Sequence, residues 1–123
     1  MYLTEAAIGQ TLAELGGFAA GSQVVADYLL PAHLRDADGS TYVDLVAPVA
    51  AQRGEPWLTF LSPAQMSVLL TEHGLTPLRH VSQGDVGDAA TWKRSDSLRP
   101  TRLSLIAHAI VRAPAERRSP RAG

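Results

Sequence analysis

Asp27 is the residue whose setting most invites chemistry, because it stands inside the apolar run Val24-Val25-Ala26-Asp27-Tyr28-Leu29. An unpaired carboxylate among apolar side chains is costly. Open α/β sheets also place their ligands beyond the C-terminal ends of strands. Asp27 could therefore lie at a ligand site, and a salt-bridged or edge-exposed aspartate would also explain it. Tyr28 alternates with Asp27 and fits either a site or the core. The four histidines, His33, His73, His80 and His108, show no i, i+4 ligand spacing, so no metal site is expected. Asp36 and Asp38 with Gly39 lack the glycine position and the terminal glutamate of a calcium loop, and they read as a turn. No G-x-S-x-G nucleophile elbow is present. No cysteine is present either, which excludes disulfides and thiolate metal sites and is compatible with a reducing compartment.

These residues must be held by a small body. A chain of 123 residues with 46% hydrophobic content fits a single globular unit. Such a chain buries roughly two-thirds of its unfolded surface, enough for one modest core. The net charge of −1 implies no polyelectrolyte partner. The charge is nevertheless uneven: residues 1–60 carry seven acids and two arginines, and residues 61–123 carry five acids and nine bases. Much of the basic excess lies in 112–123, which reads as a solvated, disordered tail. A nucleic-acid arm would want more lysine and interleaved aromatics, so no nucleic-acid partner is expected. No apolar run approaches the roughly 18 residues that span a bilayer, and no basic segment precedes an apolar stretch as in a signal peptide. No membrane association and a cytoplasmic location are therefore expected.

The elements follow from local signals. Thr4 suits an N-cap, Glu5 sits in the first turn, and Ile8, Leu12 and Leu15 form one stripe, with Gly16-Gly17 as a left-handed stop. Residues 22–30 read as a strand, nearly continuously apolar in the manner of a parallel strand buried on both faces, and Pro31 ends it. Residues 32–41 are polar and turn-rich, and 42–53 are weakly helical, interrupted at Pro48. Ser62-Pro63-Ala64-Gln65 combines an N-cap, a first-position proline and a capping-box glutamine. Leu61 and Met66 are spaced as a hydrophobic staple, and Gly74 closes this helix. Residues 75–82 and 103–111 read as strands forming an antiparallel pair. Pro77 places the first of them at an edge or an end. A short helix is expected near residues 89–93. A helix, a glycine-rich loop and a buried strand in succession suggest α/β architecture.

Four segments, Met1-Tyr2-Leu3-Thr4-Glu5-Ala6-Ala7-Ile8, Val24-Val25-Ala26-Asp27-Tyr28-Leu29, Gly54-Glu55-Pro56-Trp57-Leu58-Thr59-Phe60 and Glu72-His73-Gly74-Leu75, carry a resemblance in order and spacing. The chain resembles the C-terminal half of the leucine carboxyl methyltransferase-like group of class I S-adenosylmethionine-dependent methyltransferases. The resemblance covers about residues 1–111 and rests on joint order more than on any one motif. It implies the C-terminal portion of a Rossmann-like sheet, with three strands, the last two antiparallel, and flanking helices. Residues 24–29 would be the family's fifth strand, 75–82 its sixth, and 104–111 its seventh, inserted between the other two. The chain would then start inside the enzyme.

The resemblance implies transfer of a methyl group from S-adenosylmethionine to the carboxylate or hydroxyl of a small-molecule acceptor. It puts Tyr2 and Thr4 in the loop after the fourth strand, which lines the pocket. Thr4 also suits a plain N-cap, and Tyr2 a packing aromatic. Asp27 and Tyr28 lie near the end of the fifth strand, and Glu55 and Trp57 would shape the substrate entrance. A surface loop anchored by a buried indole would explain the last two as well. No catalytic residue is named. The cofactor's glycine-rich loop and ribose-binding acid have no counterpart here, because Gly16, Gly17 and Gly21 do not fit G-x-G-x-x-G. Weak or no cofactor binding is therefore expected of this chain. The alternative is a non-catalytic α/β binding or dimerisation module that uses the exposed edge of strand 22–30 for self-association.

Overall fold

In the computed structural model, which describes residues 1–114, the chain runs α1 (Glu5–Gly16), β1 (Gln23–Leu29), α2 (Ala37–Gln52), α3 (Pro63–Glu72), β2 (Leu75–Val81) and β3 (Ser104–Val111). Short 3-10 turns lie at Ala32–Leu34 and Gln83–Asp85. The fold is α/β, an open three-stranded sheet with flanking helices. The strand order is β1-β3-β2. Strand β3 pairs antiparallel with both neighbours, so β1 and β2 run parallel to each other on either side of it.

Local chemistry sets the helix ends. Thr4 Oγ1 accepts the Ala7 N–H at 3.2 Å. Ser62 Oγ accepts the Gln65 N–H at 3.1 Å while Gln65 Oε1 accepts the Ser62 N–H at 2.9 Å, the complete capping box, with Pro63 opening the helix. Each such cap stabilises a helix by about 1 kcal/mol. Leu61 and Met66 are both 3% exposed, as a staple requires. Gly74, at φ +88°, supplies the left-handed stop after α3.

The Gly16-Gly17 pair does something other than the expected left-handed stop. Gly17 has φ −80°, and neither glycine has a positive φ. Gly16 is needed for space: a Cβ there would lie 1.9 Å from the His73 carbonyl oxygen. Glycine thus lets the end of α1 meet the end of α3.

Strand β1 is neither parallel to its partner nor buried on both faces. Along it and β3 the side chains alternate, one set facing the helices and the other facing away. Val24, Ala26, Tyr28 and Leu30 pack with Leu12, Leu70, Leu75, Leu105 and Val111 in the core. Val25 looks the other way and is 67% exposed. An apolar residue on the uncovered face made the run look doubly buried. Full burial of each core leucine contributes about 1.5–3 kcal/mol.

Helix α2 is longer than its sequence suggests. Asp36 caps it, and it continues through Pro48 to Gln52. Pro48 removes one backbone donor, and the surrounding turns hold the helix without it. Residues 89–93 form turns and no helix. Asp88 Oδ1 accepts the Thr91 N–H and hydroxyl, each at 3.0 Å, which closes a local Asx turn in place of a helical ladder. Pro77 lies in the edge strand β2, and the register shifts between it and Arg79. Arg112, at the start of the expected tail, is held in place: its N–H donates to the Gly74 carbonyl at 3.0 Å, and its guanidinium donates to the Thr71 carbonyl. Residues 115–123, most of that tail, lie outside the described residues.

Candidate functional site

Three tethers build a cleft at the C-terminal end of β1. The N-terminal arm lies along the segment after Trp57: the Met1 carbonyl accepts from the N–H groups of Leu58 and Thr59 at 2.8 and 3.3 Å, and the Thr59 hydroxyl donates to the Leu3 carbonyl at 2.5 Å. The end of β1 holds the same segment, because the Leu29 carbonyl accepts the Leu61 N–H at 2.8 Å. Asp36 fixes α2 to the chain entering β3. Its carboxylate accepts the Gly39 N–H at 2.7 Å and the Arg102 N–H at 2.8 Å. Gly39 lets the two backbones approach, since a Cβ there would sit 2.7 Å from the Arg102 carbonyl oxygen.

The resulting cleft, of about 610 Å³, is lined among others by Tyr2, Asp27, Asp38, Tyr42, Trp57 and Ser104. Its volume suits a small organic molecule. Asp38, Tyr42 and Val46 reach it from one face of α2 at i, i+4, i+8 spacing. Tyr42 stacks on Trp57, with ring centroids 6.3 Å apart and planes 20° from parallel. The Trp57 indole N–H is buried and has no acceptor among the described residues. A second cleft, of about 380 Å³ and mainly apolar, lies between α1 and β1, where Ile8, Leu12 and Leu15 face Ala26 and Tyr28. Tyr2 and Asp27 line both clefts.

The structure therefore brings together Tyr2, Asp27 and Trp57. Thr4 acts as the α1 cap and lines neither cleft. Glu55 is exposed, outside both linings, with its N–H donating to the Ala50 carbonyl at 2.9 Å. Tyr28 turns to the helix-covered face. Its hydroxyl lies 2.7 Å from His80 Nδ1, and His80 Nε2 lies 2.7 Å from Ser67 Oγ. Burial pushes the Tyr28 phenol up to about 12 and the His80 imidazole below its ordinary value. The serine–histidine–tyrosine chain has the order of a proton relay, but Ser67 lines neither cleft, and its chemistry here is to satisfy partly buried polar groups. His108, on the uncovered sheet face, is held by the Gln23 amide oxygen at 2.7 Å.

The sequence reads Asp36 and Asp38 only as a turn and gives Tyr42 no role, whereas in the structure Asp36 caps α2 and Asp38 and Tyr42 line the cleft. Their signal was an N-cap aspartate followed by the 38, 42, 46 stripe, hidden because Pro48 argued against a helix. The cleft contains no nucleophile hydrogen-bonded to a base, so it offers shape, aromatic faces and two carboxylates. Among the described residues no group of three or more His, Cys, Asp or Glu could hold a metal ion, and no helix is long and apolar enough to cross a membrane. Among the described residues the glycines with positive φ are Gly21, Gly54, Gly74 and Gly87, and none lies in a strand-to-helix turn. Compared with known proteins, the chain matches no family model, no curated protein and no solved structure.

Proposed function

We propose that this chain is the acceptor-side portion of an S-adenosylmethionine-dependent O-methyltransferase, with the cleft of Tyr2, Asp27 and Trp57 as the wall that holds the methyl acceptor. The observation that carries this reading is the sheet order β1-β3-β2, with β3 antiparallel between two mutually parallel strands, as the family resemblance implies for its last three strands. The meeting of the N-terminal arm with the Trp57 segment at the end of β1 supports it further. In this reading the donor is held by a part of the enzyme outside these residues. Methyl transfer to a carboxylate or hydroxyl needs mainly positioning and exclusion of water, which a shaped aromatic cleft can supply.

The test is complementation. The chain is mixed with the cofactor-binding half, through the fourth strand, of a leucine carboxyl methyltransferase-like enzyme, and radiolabelled methyl transfer to that enzyme's acceptor is measured. Methyl transfer should appear only in the mixture and should fall at least about tenfold with Trp57→Ala. A mixture that neither associates nor transfers methyl would sink the reading. In calorimetry, the chain alone should show no micromolar affinity for S-adenosylmethionine.

One observation favours a second reading, a non-catalytic interaction module. The Leu30 N–H bonds to the Leu103 carbonyl and the Val111 N–H to the Ser22 carbonyl, so even-numbered residues of the β1 region face β3. The N–H and C=O groups of Gln23, Val25 and Asp27 therefore line an unpaired edge.

A further inference from the structure

We propose that the larger cleft selects an organic cation with an aromatic or apolar body. Two carboxylates from different elements line it, Asp27 from β1 and Asp38 from α2. Neither is in a hydrogen bond or an ion pair among the described residues. Among the described residues no lysine or arginine joins the lining, although Met1, which carries the α-amino group, does. A bound anion would face both carboxylates across a partly enclosed space, whereas an ammonium would gain from both. Aromatic side chains line the same cleft, and Tyr42 lies one turn along the same face of α2 as Asp38. The Tyr42–Trp57 stack and Tyr2 present ring faces of the kind that attract cations, and Tyr2 and Tyr42 are each 51% exposed and so within reach of a ligand. The walls are also fixed in advance. Asp36 and Gly39 lock the start of α2 to the chain before β3, and the Met1 carbonyl locks the Trp57 segment, so little ordering cost remains for binding. The assignment rests on the proposed function only in calling this molecule a methyl acceptor, in which case the acceptor bears a positive charge beside the oxygen that is methylated.

The experiment is an NMR titration of the full chain, labelled with nitrogen-15, at low salt and neutral pH. The probes are benzyltrimethylammonium, benzyl alcohol and benzoate, which share a ring and differ in charge. The cation should shift the amides of Tyr2, Asp27, Asp38 and Tyr42 saturably and bind at least about fivefold more tightly than benzyl alcohol, with benzoate weakest. The Asp27→Asn, Asp38→Asn double variant, whose changes lie at exposed positions, should bind the cation no better than benzyl alcohol. Equal affinity for the three probes, a preference for benzoate, shifts confined to other residues, or no saturable shift would overturn the proposal. Cation binding without methyl transfer in the complementation assay would sink the methyltransferase reading alone. Methyl transfer without cation preference would sink the ligand class alone.

Discussion

Tyr28 and His80 show how one side chain is committed by its surroundings. They come from the outer strands β1 and β2, and they meet across β3, where Tyr28 pairs with Leu105 and His80 with Ala107. Removing the hydroxyl in Tyr28→Phe leaves His80 Nδ1 without that partner in a partly buried place. The variant should lose about 1–2 kcal/mol of stability, read from the urea midpoint. His80 gives the pH dependence. Burial lowers its folded pKa below the ordinary 6.5, so the unfolded chain binds its proton first. That stability is fully present above pH 6.5 and is lost as pH falls through the folded value. Urea midpoints should drop between pH 7.5 and 5, and His80→Gln should flatten the drop; an unchanged slope would exclude His80 as the source. Neither partner was legible in the sequence as half of a pair, because 52 residues separate them and only the sheet brings them together.

Among the elements, α1 and α3 depend on a backbone crossing at their C-terminal ends. Gly16→Ala places a methyl group 1.9 Å from the His73 carbonyl oxygen, and the backbone of α3 must move to admit it. A loss of about 2–4 kcal/mol is expected in chemical denaturation. Gly21→Ala is the contrast. It has φ +88° and open space around it, so only the conformational cost of about 1 kcal/mol applies. The capping box of α3 was fully legible, since Ser62, Pro63 and Gln65 act within one turn. The length of α2 was not, because Asp36 and Gly39 owe their places to Arg102, far along the chain.

For the molecule as a whole, the sheet is open in two ways. Among the described residues no strand pairs with the outward backbone groups of Gln23, Val25 and Asp27 along the free edge of β1, and Val25 stands exposed on the face away from α1 and α3. The edge carries no proline, lysine or bulge to deter another strand. Light scattering should therefore show concentration-dependent association. Val25→Lys, which puts a charge in the middle of that edge, should reduce it while leaving the circular dichroism unchanged. A clean monomer at all concentrations would show that the edge is quiet.

The sequence by itself determined the N-caps of α1 and α3, the three strands, the α3 helix and the absence of any thiol chemistry, because each depends on neighbours within a few residues or on composition. The central place of the last strand was expected only from the family resemblance, and only the tertiary structure decided which face of β1 is covered and that Asp38 and Tyr42 join Tyr2, Asp27 and Trp57 around one cleft. The physical reason is the same in each case. A strand's alternation marks two faces without saying which will be covered, and pairing over long separations is set by packing that no local window contains.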